Sequence, residues 1–238
     1  MELKRGKFAK PYPQRRDESV VYRGHHYPGR FINFEGIDGS GKSTQYKLFV
    51  KYLKQNGYKV VEGRDPGGTE VGEEIRKILL HFDTSNMSAY TEILLFEASR
   101  AQLTEEIIKP ALERGEIAVT DRFWDSTTAY QGAAGKVPLE LILSANLAAS
   151  QGIRPDKTNI FDAPLQVARG RQNNAPDRME RKTDNYHERV RQAFLGISML
   201  EPDRVKIYNT NNRSVKEISA EVIKDFLEFV ERTGYKKS

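Results

Sequence analysis

Cysteine is absent from the 238 residues, which removes disulfides, thiolate metal ligands and a Cys nucleophile at once. Histidine occurs only at His25, His26, His81 and His187, with no carboxylates at ligand spacing, so each reads as structural or solvated. No apolar run approaches the roughly 20 residues that span a bilayer. Nor does an apolar segment stand near Met1, so the expected compartment is the cytoplasm, with no membrane partner. Excess charge is missing from most of the chain as well. Residues 1–30 hold eight Lys/Arg against three acids, the whole formal excess of +5, and the remainder is neutral. A nucleic-acid role for the main body therefore lacks its usual electrostatic support.

What is present is alternation. Short apolar runs at 31–35, 59–63, 116–121, 158–162 and 205–209 are separated by helical patterns. The first of these starts at Lys42, and others cover 71–80, 88–109, 122–133, 138–149 and 181–200. A last one carries Val215, Ile218, Val222, Ile223, Phe226, Leu227 and Val230 at helical spacing, with Ser214 and Glu217 as a capping box. Near-continuous apolar strands suit a parallel sheet covered on both faces. The pattern predicts an α/β fold, a doubly wound five-stranded parallel sheet flanked by helices, with ligands at the C-terminal strand ends. Residues 1–30, with Pro11, Pro13 and Pro28 and no periodicity, read as an extended arm or surface-packed segment; 31–238 read as one domain.

Between Gly36 and Ser43 the chain spells Gly-Ile-Asp-Gly-Ser-Gly-Lys-Ser, a full G-x4-GK[ST] phosphate loop. An apolar strand precedes it and a helix begins at Lys42, so backbone N–H groups and the positive helix end converge on one anion. Gly36, Gly39 and Gly41 let the backbone wrap a phosphate, Lys42 neutralises charge, and the Ser43 hydroxyl suits Mg²⁺. A nucleoside triphosphate, taken as ATP held by Gly36, Gly39, Ser40, Gly41, Lys42, Ser43 and Thr44, is the expected ligand.

Other segments carry chemistry that is ambiguous alone. Arg64, before Asp65-Pro66-Gly67-Gly68-Thr69, can clamp a second phosphate or simply sit on a surface turn. Phe96 and Arg100 share one helix face; they can stack on and bond a base, or form a core ring with a surface ion pair. Asp121 ends an apolar strand where a carboxylate can hold Mg²⁺ or its water, and Arg122 beside it can bridge two phosphates. Ser126/Tyr130 and Thr127/Gln131 are adjacent i,i+4 pairs lining one wall.

Together these stretches, FEGIDGSGKSTQ (34–45), RDPGGTEVGEEIR (64–76), LLFEASRAQL (94–103), DRFWDSTTAYQG (121–132), RPD (154–156) and DRMER (177–181), resemble the thymidylate kinase family. That family belongs to the P-loop nucleoside monophosphate kinases, a fold with a short lid. The resemblance implies transfer of a phosphoryl group from ATP to dTMP in dTDP biosynthesis, with Mg²⁺ and without a covalent enzyme intermediate. It places Asp38 on the deoxyribose 3′-OH, Arg64 and Arg122 on the dTMP phosphate, and Phe96 against thymine. Arg100 would bond a thymine carbonyl, and Ser126, Thr127 and Gln131 would line the nucleotide. Tyr130 would crowd the ribose 2′ position. Ser43 and Asp121 would hold the metal, and Lys42, Asp121, Arg122 and a lid arginine would act in catalysis. The lid would span about 169–181, with Arg171 favoured among Arg169, Arg171, Arg178 and Arg181. Gly39 in place of an arginine makes the loop bacterial-type, and the family implies a homodimer. Two departures stand out: Asp65 replaces the usual Glu before Pro-Gly-Gly, and Asn173 replaces an Arg common in related lids. Phosphorylation of another (deoxy)nucleoside monophosphate such as dUMP, or a non-catalytic nucleotide switch, remain the alternative readings.

Overall fold

Strand β1 (Arg30–Glu35) is buried along its whole length because parallel neighbours flank it on both sides. In this computed structural model, which describes residues 25–80, 87–172 and 175–237, β2 (Val60–Arg64), β3 (Ile117–Asp121), β4 (Lys157–Asp162) and β5 (Val205–Asn209) complete the sheet. The order is β2-β3-β1-β4-β5, all parallel, so the expected doubly wound α/β architecture is what the chain adopts. The arm up to residue 24, His81 and the Asn173–Asn174 pair fall outside the described residues.

The helices are α1 (Lys42–Gln55), α2 (Glu70–Leu80), α3 (Ala89–Leu103), α4 (Lys109–Glu113), α5 (Trp124–Thr127), α6 (Leu139–Ala149), α7 (Leu165–Gly170), α8 (Asp184–Leu200) and α9 (Val215–Thr233). On one face of the sheet Ile32, Phe34, Val119 and Phe161 pack against Phe49 and Leu53 of α1 and Val222 and Phe226 of α9. The apolar stripe of α9 supplies this contact, and the predicted capping box closes its first turn. The opposite face divides into two smaller clusters, one around Phe31, Leu103 and Phe123, the other around Ile160, Tyr130 and Phe194.

Several boundaries differ from expectation. Arg30 lies inside β1, where it bonds the backbone of Pro28, Gly29 and Thr233, and His25 is buried against Asp156 at 3.0 Å. Residues His25 and Arg30 are therefore held against the body. The stretch 88–109 is not one α-helix: α3 widens into a π-helical turn at Thr104–Ile108 before α4. Likewise α5 passes into a π-helical turn at Thr128–Ala134, which carries Tyr130 and Gln131. Widened turns of this kind occur often at functional sites. Helix α8 starts at Asp184 because the Thr183 side chain caps it, three residues later than the periodicity alone suggests. The short α7 ends at Gly170, two residues into the stretch read as polar lid.

Below α5, Arg204 makes a bidentate pair with Asp125 at 2.7 and 2.8 Å, bonds the Thr158 hydroxyl at 2.7 Å and reaches Glu201 at 2.7 Å. Burial raises the Asp125 carboxyl, but Arg204 outweighs it and holds the group below the ordinary carboxylate range. The pair fixes the helix that bears Ser126 and Thr127. Arg204→Met should leave Asp125 buried and uncompensated and cost about 3–5 kcal/mol of stability, read by urea unfolding. A loss under about 1 kcal/mol would show that the pair holds nothing in place.

Candidate active site

Register places Arg64, Phe34 and Asp121 side by side at the C-terminal edge of the sheet, with Glu35 beside Ile160 and Asp162 beside Asn209. The phosphate loop leaves β1 at this edge. Gly39 and Gly41 take φ of +81° and +91°, where side chains are strained, and a Cβ on Gly39 would collide with the Ala168 carbonyl. At the first turn of α1, Ser43 and Thr44 are exposed while Ser40 and Lys42 are buried. The Lys42 ammonium is ion-paired with Asp121. Burial pushes the Asp121 carboxyl up, yet Lys42 and then Arg122 overcome it and keep the group ionised below its usual range. Arg171 caps α7 and lies over the loop: it donates to the Thr210 carbonyl at 2.9 Å, the Thr210 hydroxyl at 3.2 Å and the Gly39 carbonyl at 3.5 Å.

A second concavity adjoins the loop, bounded by Asp38, Pro66, Phe96, Arg100, Arg122 and Tyr130, with Met179 and Asp177 also lining it. Arg122 stands between the two. Its backbone has φ of 71°, and its N–H bonds the Phe34 carbonyl at 2.9 Å, which turns the chain out of β3 and across β1. The guanidinium donates to Asp38 at 2.7 Å and to the Ser126 hydroxyl at 3.1 Å, and stacks on the Tyr130 ring with its carbon 5.3 Å from the centroid. Asp38 is pushed up by burial but pulled below the ordinary range by Arg122 and Lys42.

Arg100 is almost wholly buried and bonded on every nitrogen: Nε to Asp65 at 2.7 Å, Nη1 to Glu97 and Asn146 at 2.5 Å each, and Nη2 to Thr127 at 2.7 Å. It is thus neither a surface ion pair nor a loose side chain; Asp65, the shortened acid of the acceptor loop, is its main anchor. Phe96, one turn earlier, is half-buried and lines the same concavity. The Gln131 amide donates to Glu92 at 2.8 Å, and Glu92 also pairs with Arg178 at 2.6 Å, which ties the segment after α7 to this wall.

Arg64, which the resemblance puts on the dTMP phosphate, is half-exposed and paired with Glu73 at 2.7 Å. Arg76 also belongs to this region: it lines the concavity and bonds the Pro66 carbonyl at 2.8 Å. Its helical spacing of three from Glu73 was the available signal: the two side chains share one face of α2, turned toward the acceptor loop. Glu35, two residues after the buried Asn33 on the same strand face, is a further buried polar residue at this edge. Among the described residues no cluster of three His, Asp or Glu forms a metal cage.

The Tyr130 hydroxyl is buried with no hydrogen-bond partner among the described residues, and burial followed by the neighbouring carboxylates raises its pKa. An unpaired buried hydroxyl costs about 1–3 kcal/mol. Tyr130→Phe should therefore leave the melting temperature of the free protein unchanged or raised in scanning calorimetry, and a fall of several degrees would reveal a hidden partner.

Comparison with known proteins accords with this geometry. The family model described as thymidylate kinase matches residues 34–222. A curated thymidylate kinase of Symbiobacterium thermophilum is 42% identical over 81% of this chain and 90% of its own length. Another, of Thermosipho melanesiensis, is 48% identical over 71% of this chain and 83% of its own. The crystal structure of the thymidylate kinase from Ehrlichia chaffeensis superposes with a TM-score of 0.68 at 33% identity, covering 84% of this chain and 98% of that one. A phosphate loop and an aromatic-walled cleft sharing one arginine, with relatedness over most of the chain, place this protein in the thymidylate kinase family.

Proposed function

We propose that this chain transfers the γ-phosphoryl group of ATP to dTMP, giving ADP and dTDP, and that Arg122 serves both substrates. The observation that carries the reading is the position of Arg122 and Asp38 between the phosphate loop and the cleft. Gly36, Gly39, Ser40, Gly41, Lys42, Ser43 and Thr44 take the triphosphate through backbone N–H groups, ammonium and hydroxyls. In the cleft, Phe96 stacks on the base and Arg100, immobilised by four partners, presents a fixed donor to a base carbonyl. Gln131 gives its N–H to Glu92, which leaves its carbonyl oxygen for the base edge beside Thr127. Tyr130 fills the space a ribose 2′-OH would need, Asp38 meets the 3′-OH, and Ser126 and Arg64 support the phosphate end. The cleft, lined by Met179 and Asp177 among others, encloses only about 100 Å³, less than the few hundred Å³ of a ligand pocket. Admitting a nucleotide therefore requires Asp177 and Met179, in the stretch read as the lid, to move aside.

Mg²⁺ fits the oxygen donors present. Asp121 is held ionised and the Ser43 hydroxyl is exposed at the helix start, a hard-ligand set completed by substrate phosphates and water. Bound there, the ion would neutralise charge on the β- and γ-phosphates. The protein's own part is alignment: two anions are brought in line, and Arg122 offsets the charge that accumulates on the moving group. ADP release measured with dTMP, dUMP, AMP and no acceptor tests the reading. Turnover should require dTMP, and Arg122→Ala should lower kcat by about 10³-fold while ATP affinity changes little. Preference for dUMP or AMP would reassign the acceptor, and slow acceptor-independent hydrolysis would indicate a switch protein.

A homodimer completes the reading. Val71 and Ile78 of α2 and Tyr90 and Leu94 of the adjoining α3 are exposed by 49%, 40%, 57% and 66%, an apolar face that a second copy would cover. Light scattering should give about twice 27.2 kDa for the wild type, and Leu94→Glu should halve it. A wild-type monomer would remove this assembly.

A further inference from the structure

Glu35 ends β1 with its side chain at 0% exposure, and the reading above gives it no task. Its Oε1 accepts from the Phe123 N–H at 2.9 Å, the Ser126 N–H at 3.2 Å and the Asn33 amide at 3.1 Å. Its Oε2 accepts from the Ser126 hydroxyl at 2.6 Å, and Arg122 Nη1 lies 3.9 Å from it. An ionised carboxylate only accepts, so it suits a shell made entirely of donors. Every partner except Asn33 lies in the turn that carries Arg122.

We infer that Glu35 is a positioning residue for phosphoryl transfer: it fixes the Phe123–Ser126 turn and the Ser126 hydroxyl so that the Arg122 guanidinium stays over the cleft. The inference rests on the acceptor-site reading of Arg122. Consecutive residues of β1 grip consecutive N–H groups, Phe34 taking that of Arg122 and Glu35 that of Phe123. This stitches down a turn whose first residue has a positive φ. The Ser126 hydroxyl has one hydrogen. Spending it on Oε2 turns the oxygen lone pairs toward Arg122 Nη1, 3.1 Å away.

The ionisation of Glu35 has opposite consequences for fold and function. Burial, the largest influence, pushes its pKa up to about 7; Arg122 pulls it down and Asp125 adds to the rise. Arg122, Asp125 and Tyr130 are the charged or titratable groups that face it. Because the folded state takes up the proton more readily than the unfolded chain, stability falls as pH rises from 4.5 to about 7. Above about pH 7 the carboxylate is a cost to the fold, while below about pH 7 the proton converts an acceptor into a donor and removes the anion beside Arg122.

Glu35→Gln keeps the shape and removes the charge, so it separates the two effects. Steady-state ADP release with ATP and dTMP from about pH 5.5 to 9 would be read alongside thermal unfolding at about pH 8. A phosphate monoester loses its second proton near pH 6, about one unit below Glu35. The acid limb of log(kcat/KM) for dTMP should therefore approach slope two in the wild type and slope one in E35Q. At about pH 8, E35Q should lose roughly 10²-fold in kcat, the scale of a small misplacement. Its KM for ATP should stay within about twofold and its melting temperature should be equal or higher. Unchanged kcat and slope in E35Q would overturn the inference, as would a lower melting temperature with full kcat per folded molecule. Should E35Q not fold, Ser126→Ala spares both backbone contacts, and unchanged kcat there would overturn it equally. Absence of dTMP-dependent turnover in the wild type is a different outcome, which removes the acceptor reading itself.

Discussion

Cations at the carboxyl edge of the sheet must be held without substrate, and that requirement shapes the rest of the site. Lys42 is paired with Asp121, Arg122 with Asp38, and Arg100 with Asp65 and Glu97. An unpaired buried charge costs several kcal/mol, so each cation aimed at a nucleotide needs a resident carboxylate. The carboxylates are graded. Those on the phosphate-facing side, Asp121 and Asp38, remain below the ordinary range despite burial. Those deeper, Asp65 and Glu97, are raised because desolvation outweighs their arginine.

The two faces of the sheet divide the labour. Phe34 and Ile32 point to the α1/α9 side, where the contacts are apolar and supply stability. The alternate positions Asn33 and Glu35, with Thr120 of β3, carry hydrogen bonds on the other side, where α5 and its π-helical continuation form the cleft. Arginines divide in the same way. Arg204 is locked on both terminal nitrogens by Asp125, away from the cleft lining, whereas Arg122 shares itself between an acid, a hydroxyl and a ring. A guanidinium with several moderate partners can exchange one of them for phosphate; one with a bidentate buried partner cannot do so cheaply.

Features whose physics lies in neighbouring residues were legible in the chain. The phosphate loop acts through successive backbone N–H groups, so its spelling is its geometry. The Ser214–Glu217 capping box spans three residues and forms as expected. Strand count, strand direction and the sharing of one helix face by Phe96 and Arg100 followed from periodicity, because apolar burial on a parallel sheet imposes it. Family resemblance then tied segments 34–45, 64–76, 94–103 and 121–132 to one site, which composition alone could not do.

What only the tertiary structure decided were the partners of long side chains. Arg64 pairs with Glu73, and Arg76 lines the cleft and bonds the Pro66 carbonyl. Arg100 became an anchored strut because Asn146, 46 residues away, and Thr127, 27 away, arrive beside it. Glu35 meets Ser126 across 91 residues of sequence, with only the polar step at Asn33 and Glu35 in an otherwise apolar strand as a local sign. Sequence by itself determined which backbone segments form, since their hydrogen bonds and burial periods are local. The pairing of charges was left to folding, because a guanidinium or carboxylate settles on whichever counter-group the packed sheet delivers within about 3 Å.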